Sequence, residues 1–94
     1  MSEIMKKHEL KLLIKYFKDV EQGRKTFELR KNDRDFQVGD TLILKEYHPG
    51  DTDYKDGIYI PAHYTNNETV KKIVYILQGG QCGLEEGYVI LGIQ

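Results

Sequence analysis

A chain of 94 residues, 39% hydrophobic and 31% charged, is large enough for one modest core, too small for two, and too apolar for a disordered chain. We therefore expect a single domain over residues 1–94. No apolar run approaches the roughly 20 residues of a membrane-spanning helix, and nothing near the N-terminus resembles a signal peptide. The single cysteine, Cys82, excludes an intrachain disulfide. Together these features predict a cytoplasmic protein.

The formal net charge of -1 conceals an uneven distribution of charge. Residues 1–34 carry ten Lys or Arg against six Asp or Glu, a net of +4, whereas residues 35–94 carry four against nine, a net of -5. A net of +4 is too small for avid duplex binding through phosphate neutralisation. For a nucleic-acid partner, the charge favours a short contact with a single strand or a nucleotide.

The first predicted elements are a strand and a helix. His8 to Leu12 predicts a strand, after which the apolar residues recur at steps of three and four. This spacing predicts a helix of about two turns from Ile14 to Gln22. Gly23 follows as a C-terminal stop.

The next predicted element is a strand over Thr26 to Lys31. Side chains alternate between the two faces of a strand. Phe27 and Leu29 are therefore expected on an apolar, core-facing side. Glu28 and Arg30 are expected on a charged side.

Three further strands are predicted, over Thr41 to Tyr47, Val70 to Leu77 and Tyr88 to Ile93. Residues 51–68, here called the polar segment, carry tyrosines among polar residues, and Ile58 to Ile60 suggests a brief edge strand there. One helix with five or six short strands predicts an α+β fold, a small mixed β-barrel with the helix packed at one end.

No metal or cofactor site is predicted. His8, His48, His63 and Cys82 are scattered, with no two at a short ligand spacing. The glycine-rich loop from Gln78 to Gly83 lacks the Lys-Ser/Thr ending of a phosphate-binding P-loop, so it predicts a mobile connection between two strands.

The candidate site is a G-x-K-x-x-E-x-R string in which a glycine stop is followed by Lys25, Glu28 and Arg30. Lys25 lies at the strand entry, where its side chain can swing towards the other two. The two cations suit phosphate or base acceptors, and a carboxylate suits an exocyclic amino group. Lys31 and Arg34 would extend the cationic rim. The competing interpretation is that Glu28 and Arg30 form an ion pair that braces the fold.

Gly23, Lys25, Glu28 and Arg30 resemble the signature of the ASCH domain, a branch of the PUA-like β-barrels. The similarity continues through most of the chain and is close to a small prokaryotic and phage subgroup of unknown function. It includes the segments His8 to Lys11, Lys31 to Phe36, Val38 to Asp40, Tyr75 to Leu77 and Gly83 to Gly92. The resemblance implies a PUA-like barrel that binds RNA or a nucleotide-like ligand, with exposed tyrosines or His63 available for stacking on a base.

Two alternatives stay open. Some ASCH-like proteins resemble amidohydrolases that deacylate modified cytidine, using the motif lysine, a threonine and a distant glutamate. Lys25 matches the lysine, but Glu28 stands where those enzymes have threonine, and Thr26 is two positions from that point. Glu85 or Glu86 would supply the distant acid, leaving Lys25 and Glu28 as catalytic candidates. The other alternative is a protein-interaction module that uses the polar segment as its contact surface.

Overall fold

The computed structural model describes residues 5–51 and 57–94, which form one helix and five strands. In chain order these elements are β1 (Lys7–Leu13), α1 (Ile14–Glu21), β2 (Phe27–Lys31), β3 (Thr41–His48), β4 (His63–Gln78) and β5 (Tyr88–Ile93). The predicted small α+β fold is confirmed. None of the helical structure described is long and apolar enough to cross a membrane.

The strands form an open sheet in the order β1-β3-β4-β5-β2, so the predicted closed barrel is wrong. β1 and β3 run parallel, and the other neighbours are antiparallel. The two outer strands, β1 and β2, are not paired with each other in the described sheet. Instead, Arg30 Nη2 donates to the backbone oxygen of Lys11 at 2.6 Å. The contact is made by the guanidinium at the end of the Arg30 side chain. The backbones of the two edge strands are therefore separated by about the length of that side chain.

β4 is shared by both halves of the sheet. Its first part, from His63 to Lys72, pairs with β3, and its second part, from Ile73 to Gln78, pairs with β5. The sequence predicted only the second half of this strand, from Val70, because the preceding residues are polar and resemble a turn. Ile58 to Ile60 belongs to none of the five strands, and of the brief edge strand suggested there the structure shows a β-bridge at Ile58 alone.

The helix and its stop agree with the sequence. Phe17 and Val20 are buried against the sheet. Gly23 adopts a φ of +79°, a left-handed conformation that favours glycine, and its N–H donates to Val20 O at 3.1 Å. This turn directs the chain from α1 into β2.

The core lies between α1 and one face of the sheet, and alternate residues of β1, β3 and β5 supply most of it. The strand predicted over Thr41 to Tyr47 is confirmed as β3, and its inward residues Leu42 and Leu44 are fully buried. The buried apolar residues are Leu10, Leu12, Phe17, Val20, Phe36, Leu42, Leu44, Ile73, Val89, Leu91 and Ile93.

β2 faces the opposite way from the prediction. Glu28 is only 4% exposed, whereas Phe27 and Leu29 are 46% and 54% exposed. The cause is the pairing with β5, in which Glu28 lies opposite Leu91, a fully buried residue, and directly opposite residues share a face. The charged side of β2 therefore faces inward, and its apolar side lies on the surface.

Candidate functional site

The inward side of β2 carries a cluster of three charged side chains, Lys25, Glu28 and Arg30, here called the Glu28 cluster. Glu28 Oε1 accepts a hydrogen bond from Lys25 Nζ at 2.8 Å. Its Oε2 accepts from Arg30 Nε at 3.1 Å and from Arg30 Nη2 at 2.8 Å. The three side chains therefore converge, and both oxygens of the buried carboxylate are occupied by cations.

Lys25 lies on the helix side of this cluster. Its backbone N–H donates to Asp19 O at 2.9 Å, which holds the start of the strand against the end of α1. The ammonium group donates to Phe27 O at 2.7 Å and lies 4.6 Å from the centre of the Phe27 ring and 5.2 Å from that of Tyr16. Protein groups thus surround the ammonium, and 19% of the side chain is exposed.

Arg30 lies on the opposite side of Glu28, at the gap between the two edge strands. A guanidinium has five N–H donors. Nε and Nη2 donate to Glu28 and to the backbone oxygen of Lys11. No described residue accepts a hydrogen bond from Nη1, so the arginine is fixed at one end and keeps two donors at the other.

Arg30 borders a cavity of about 620 Å³ between β1, the end of β2 with its following turn, and the β3–β4 ladder. A volume of roughly 300–1,000 Å³ is typical of small-molecule sites. Arg30, Lys31 and Arg34 line this cavity, whereas Lys25 and Glu28 do not. The predicted site residues therefore divide between a buried cluster and a cavity wall, and Arg30 belongs to both.

The cavity has an excess of positive charge. Its lining carries five cations and three carboxylates, a net of +2: Lys11, Arg30, Lys31, Arg34 and Lys45 against Glu9, Asp33 and Glu68. Lys45 pairs with Glu9 at 3.5 Å, but neither Lys31 nor Arg34 forms an ion pair with a described residue. Three cations, one fixed and two exposed, thus face the same space.

Tyr64 supplies an aromatic surface to the cavity and is 46% exposed. Its ring packs edge-to-face against Tyr47 with centroids 5.1 Å apart. Lys11 Nζ lies 4.5 Å from the centre of the Tyr47 ring. The cavity therefore offers an aromatic ring close to cationic groups. Tyr54, another tyrosine considered for stacking, lies outside the described residues.

A second buried carboxylate, Asp40, was not singled out from the sequence. Its Oδ2 accepts from His8 Nε2 at 2.8 Å and from the N–H of Gln37 at 3.0 Å, and its Oδ1 accepts from the N–H of Lys6 at 3.1 Å. Burial alone would raise the pKa of this carboxyl, but the hydrogen bonds from His8 and from the two backbone groups outweigh burial and lower it. The sequence contained one indication of this site. His8 is two residues before Leu10 in β1, so both side chains lie on the same, buried face of the strand.

Of the residues considered for an amidohydrolase, Lys25 and Glu28 are in contact, whereas Glu85 and Glu86 lie away from that pair. Phe27 pairs with Gly92, whereas Lys31 pairs with Tyr88. Glu85 and Glu86 precede Tyr88 and so lie beyond one end of β2, whereas Lys25 lies before the other end. At 3.3 Å per residue, the six steps of extended chain from Lys25 to Lys31 span about 20 Å.

The histidines expected to be scattered include one close pair. His48 and His63 are cross-strand partners, and their rings stack with centroids 5.3 Å apart. Within residues 5–51 and 57–94, no group of three or more His, Cys, Asp or Glu side chains is placed to hold a metal ion.

The glycine-rich loop between β4 and β5 is closed by its own backbone. Gly80 N–H donates to Leu84 O at 2.7 Å, and Leu84 N–H donates to Gln81 O at 2.9 Å. No residue of this loop is among those that line the cavity.

Two similarities place the chain among known sequences. Residues 7–93 match the family described as a domain of unknown function, DUF3850, and the chain belongs to that family. It is also similar to the uncharacterized 12.9 kDa protein in the GpA 3' region of Escherichia phage P2, with 54% identity over 43 residues. That match covers 46% of this chain and only 39% of the phage protein.

Proposed function

We propose that this chain is an ASCH-type domain that binds single-stranded RNA or a nucleotide-like ligand in the cavity beside the Glu28 cluster. The observation that carries the proposal is the state of Arg30. A buried carboxylate holds its guanidinium against the cavity wall while Nη1 keeps its donors. A fixed planar fork suits phosphate or a base edge, because little side-chain entropy is lost when the ligand binds.

The other cavity residues suit the same ligand class. Lys31 and Arg34 are exposed cations that line the same cavity as Arg30, so the three can contact phosphate together. Tyr64 offers a ring on which a base can stack, and such stacking stabilises single-strand complexes by about 1–3 kcal/mol per base. The lining thus combines phosphate-binding and base-stacking groups in one cavity of suitable size.

The buried position of Glu28 changes the role proposed for it. Both of its oxygens already accept hydrogen bonds from Lys25 and Arg30, and Glu28 is not among the residues that line the cavity. In the proposal Glu28 is a positioning residue that orients Arg30. Lys25 neutralises the carboxylate from the other side.

The test is fluorescence anisotropy of a labelled pentameric single-stranded RNA across a salt series. Each phosphate neutralised on a single strand lowers log K by about 0.7 per unit of log salt. Contacts from three cations therefore predict a slope of about -2 for the wild-type protein, and Arg30→Ala should weaken binding and make the slope shallower by about 0.7.

The matched control is Arg24→Ala. Arg24 is an exposed arginine paired with Asp19 at 2.8 Å, and it does not line the cavity. Binding should be unchanged in this variant. Absence of saturable binding at low salt, or equal weakening in both arginine variants, would contradict the proposal.

A further inference from the structure

The β3–β4 ladder contains a bulge that opens onto the cavity. Lys45 pairs with Glu68 and Tyr47 pairs with Tyr64, so two steps along β3 correspond to four steps along β4. The stretch from Thr65 to Asn67 therefore lies opposite the single residue Glu46. Bulges of this kind redirect side chains and are common beside functional sites.

Glu46 holds the bulge in shape. Its Oε1 accepts from Thr65 Oγ1 at 2.6 Å and from Asn67 Nδ2 at 3.2 Å. The hydroxyl of Thr65 also accepts from the N–H of Asn67 at 3.3 Å. The residues on either side of Asn66 are thus tied to one carboxylate, and Asn66 between them is not.

Asn66 is the middle residue of the bulged stretch. Its φ is +74°, a left-handed conformation that is uncommon for residues other than glycine and is tolerated best by asparagine and aspartate. The side chain is exposed and borders the cavity, and it makes no hydrogen bond to any residue in the described part of the chain. A free amide is therefore held at the cavity wall by an unusual backbone conformation.

We propose that Asn66 reads the edge of an unpaired base in this cavity, with adenine preferred, an inference that rests on the proposed function. An amide carries a donor and an acceptor side by side, and it pairs in bidentate fashion with the N6 amino group and N7 of adenine. Arg30 and Arg34 line the same cavity and bind the phosphate, while the neighbouring Tyr64 contacts the face of the base. The β3–β4 bulge is thus the specificity element of the site.

The variant Asn66→Gly tests base recognition separately from backbone strain. Asn66→Gly removes the amide but keeps the left-handed conformation, which glycine adopts freely. The fold should therefore be retained, with a thermal midpoint equal to or above that of the wild type. Asn66→Asp is the second variant, because aspartate also tolerates this conformation but has no amide donor. Asn32→Ala, an exposed asparagine outside the cavity lining, is the control.

The measurement is the affinity of each protein for labelled pentameric RNAs of adenine and of uracil and for an abasic pentamer of equal charge. The wild type should bind the adenine pentamer about 5- to 150-fold more tightly than the uracil pentamer, the factor expected for one bidentate pair, because either base can stack on Tyr64 whereas an abasic pentamer loses the stacking as well. Asn66→Gly and Asn66→Asp should reduce that factor, and Asn66→Gly should leave the abasic affinity unchanged. Asn32→Ala should behave as the wild type.

The outcomes separate this inference from the proposed function. Equal wild-type affinity for the adenine and uracil pentamers, or a preference for adenine over uracil that survives in Asn66→Gly, would overturn the role of Asn66 while leaving a phosphate-binding cavity. Failure of the wild type to bind any of the three pentamers would overturn both.

Discussion

Two carboxylates are buried among the described residues, Asp40 and Glu28, and they differ in where their partners lie. The partners of Asp40 are the buried ring of His8 and two backbone N–H groups at the start of the sheet. The partners of Glu28 are two long cations with about a fifth of each side chain exposed. One carboxylate therefore links parts of the backbone, and the other holds side chains that extend to a cavity.

On the proposed function, this difference separates a structural carboxylate, Asp40, from one that positions a binding group, Glu28. The ring of His8 also packs edge-on against Phe36 at 4.8 Å, so the Asp40 site is enclosed by core residues. Arg30, in contrast, keeps Nη1 donors that no described residue accepts, and it borders the positively charged cavity. The two carboxylates are both well buried, so the exposure of their partners is what separates them.

The largest loss of stability is expected for Asp40→Ala. The substitution leaves the ring of His8 and the N–H groups of Lys6 and Gln37 without their acceptor. Removing one partner from a buried pair costs about 3–5 kcal/mol of unfolding free energy. Urea denaturation measures the loss. Asp33→Ala, at an exposed aspartate, should change the unfolding free energy by no more than about 0.5 kcal/mol.

A smaller loss is expected for Glu28→Gln, about 1–3 kcal/mol of unfolding free energy. The amide keeps the size of the side chain but not its charge, and the partly exposed Lys25 and Arg30 can turn towards water. RNA affinity should fall together with stability, because Arg30 loses its fixed orientation. A Glu28→Gln protein with wild-type stability and wild-type affinity would contradict the positioning role.

The pH dependence of stability tests the Asp40 site. The pKa of Asp40 is lower in the folded protein than its ordinary value of 3.8. The stabilisation is therefore fully present above the unfolded-state pKa, and it is lost as the pH falls below about 4 and through the folded-state pKa. Urea midpoints between pH 2.5 and 6 should show this decline in the wild type and a flatter profile in Asp40→Asn. Parallel profiles would show that other carboxylates cause the decline.

The smallest effect is expected on the outer side of β2. Leu29→Thr should change the unfolding free energy by no more than about 0.5 kcal/mol, because Leu29 is 54% exposed. Truncation of a core leucine would cost about 2–5 kcal/mol, so a loss of that size would show that Leu29 faces the core and that Glu28 does not. Leu91→Ala, at the buried residue opposite Glu28, is the matched positive control.

Local patterns predicted most of the fold. The helix, its glycine stop, and the strands over Thr41 to Tyr47 and Tyr88 to Ile93 agree with the structure within one residue at each end. These elements have clear periodicity, and their ends carry turn residues. The open sheet was not predictable in this way, because closure depends on whether the two edge strands meet.

The errors in the site have a common physical cause. Hydrophobicity placed Phe27 and Leu29 inside and Glu28 outside, but ion pairing with Lys25 and Arg30 offsets the cost of burying the carboxylate. Asn66 and Asp40 were missed because their positions depend on pairing between distant segments. Spacing along the chain identifies which charges can meet, whereas the register of the sheet decides which side they face.

The most direct test of the central claim, that the cavity beside Arg30 is the binding site, is a ¹H–¹⁵N NMR titration with an adenine RNA pentamer. We expect the largest amide shift changes at cavity-lining residues, including Lys11, Arg30, Arg34 and Asn66. Residues on the outer side of the sheet, such as Leu29, should change little. Shift changes centred on that outer side, or none at saturating RNA, would contradict the account.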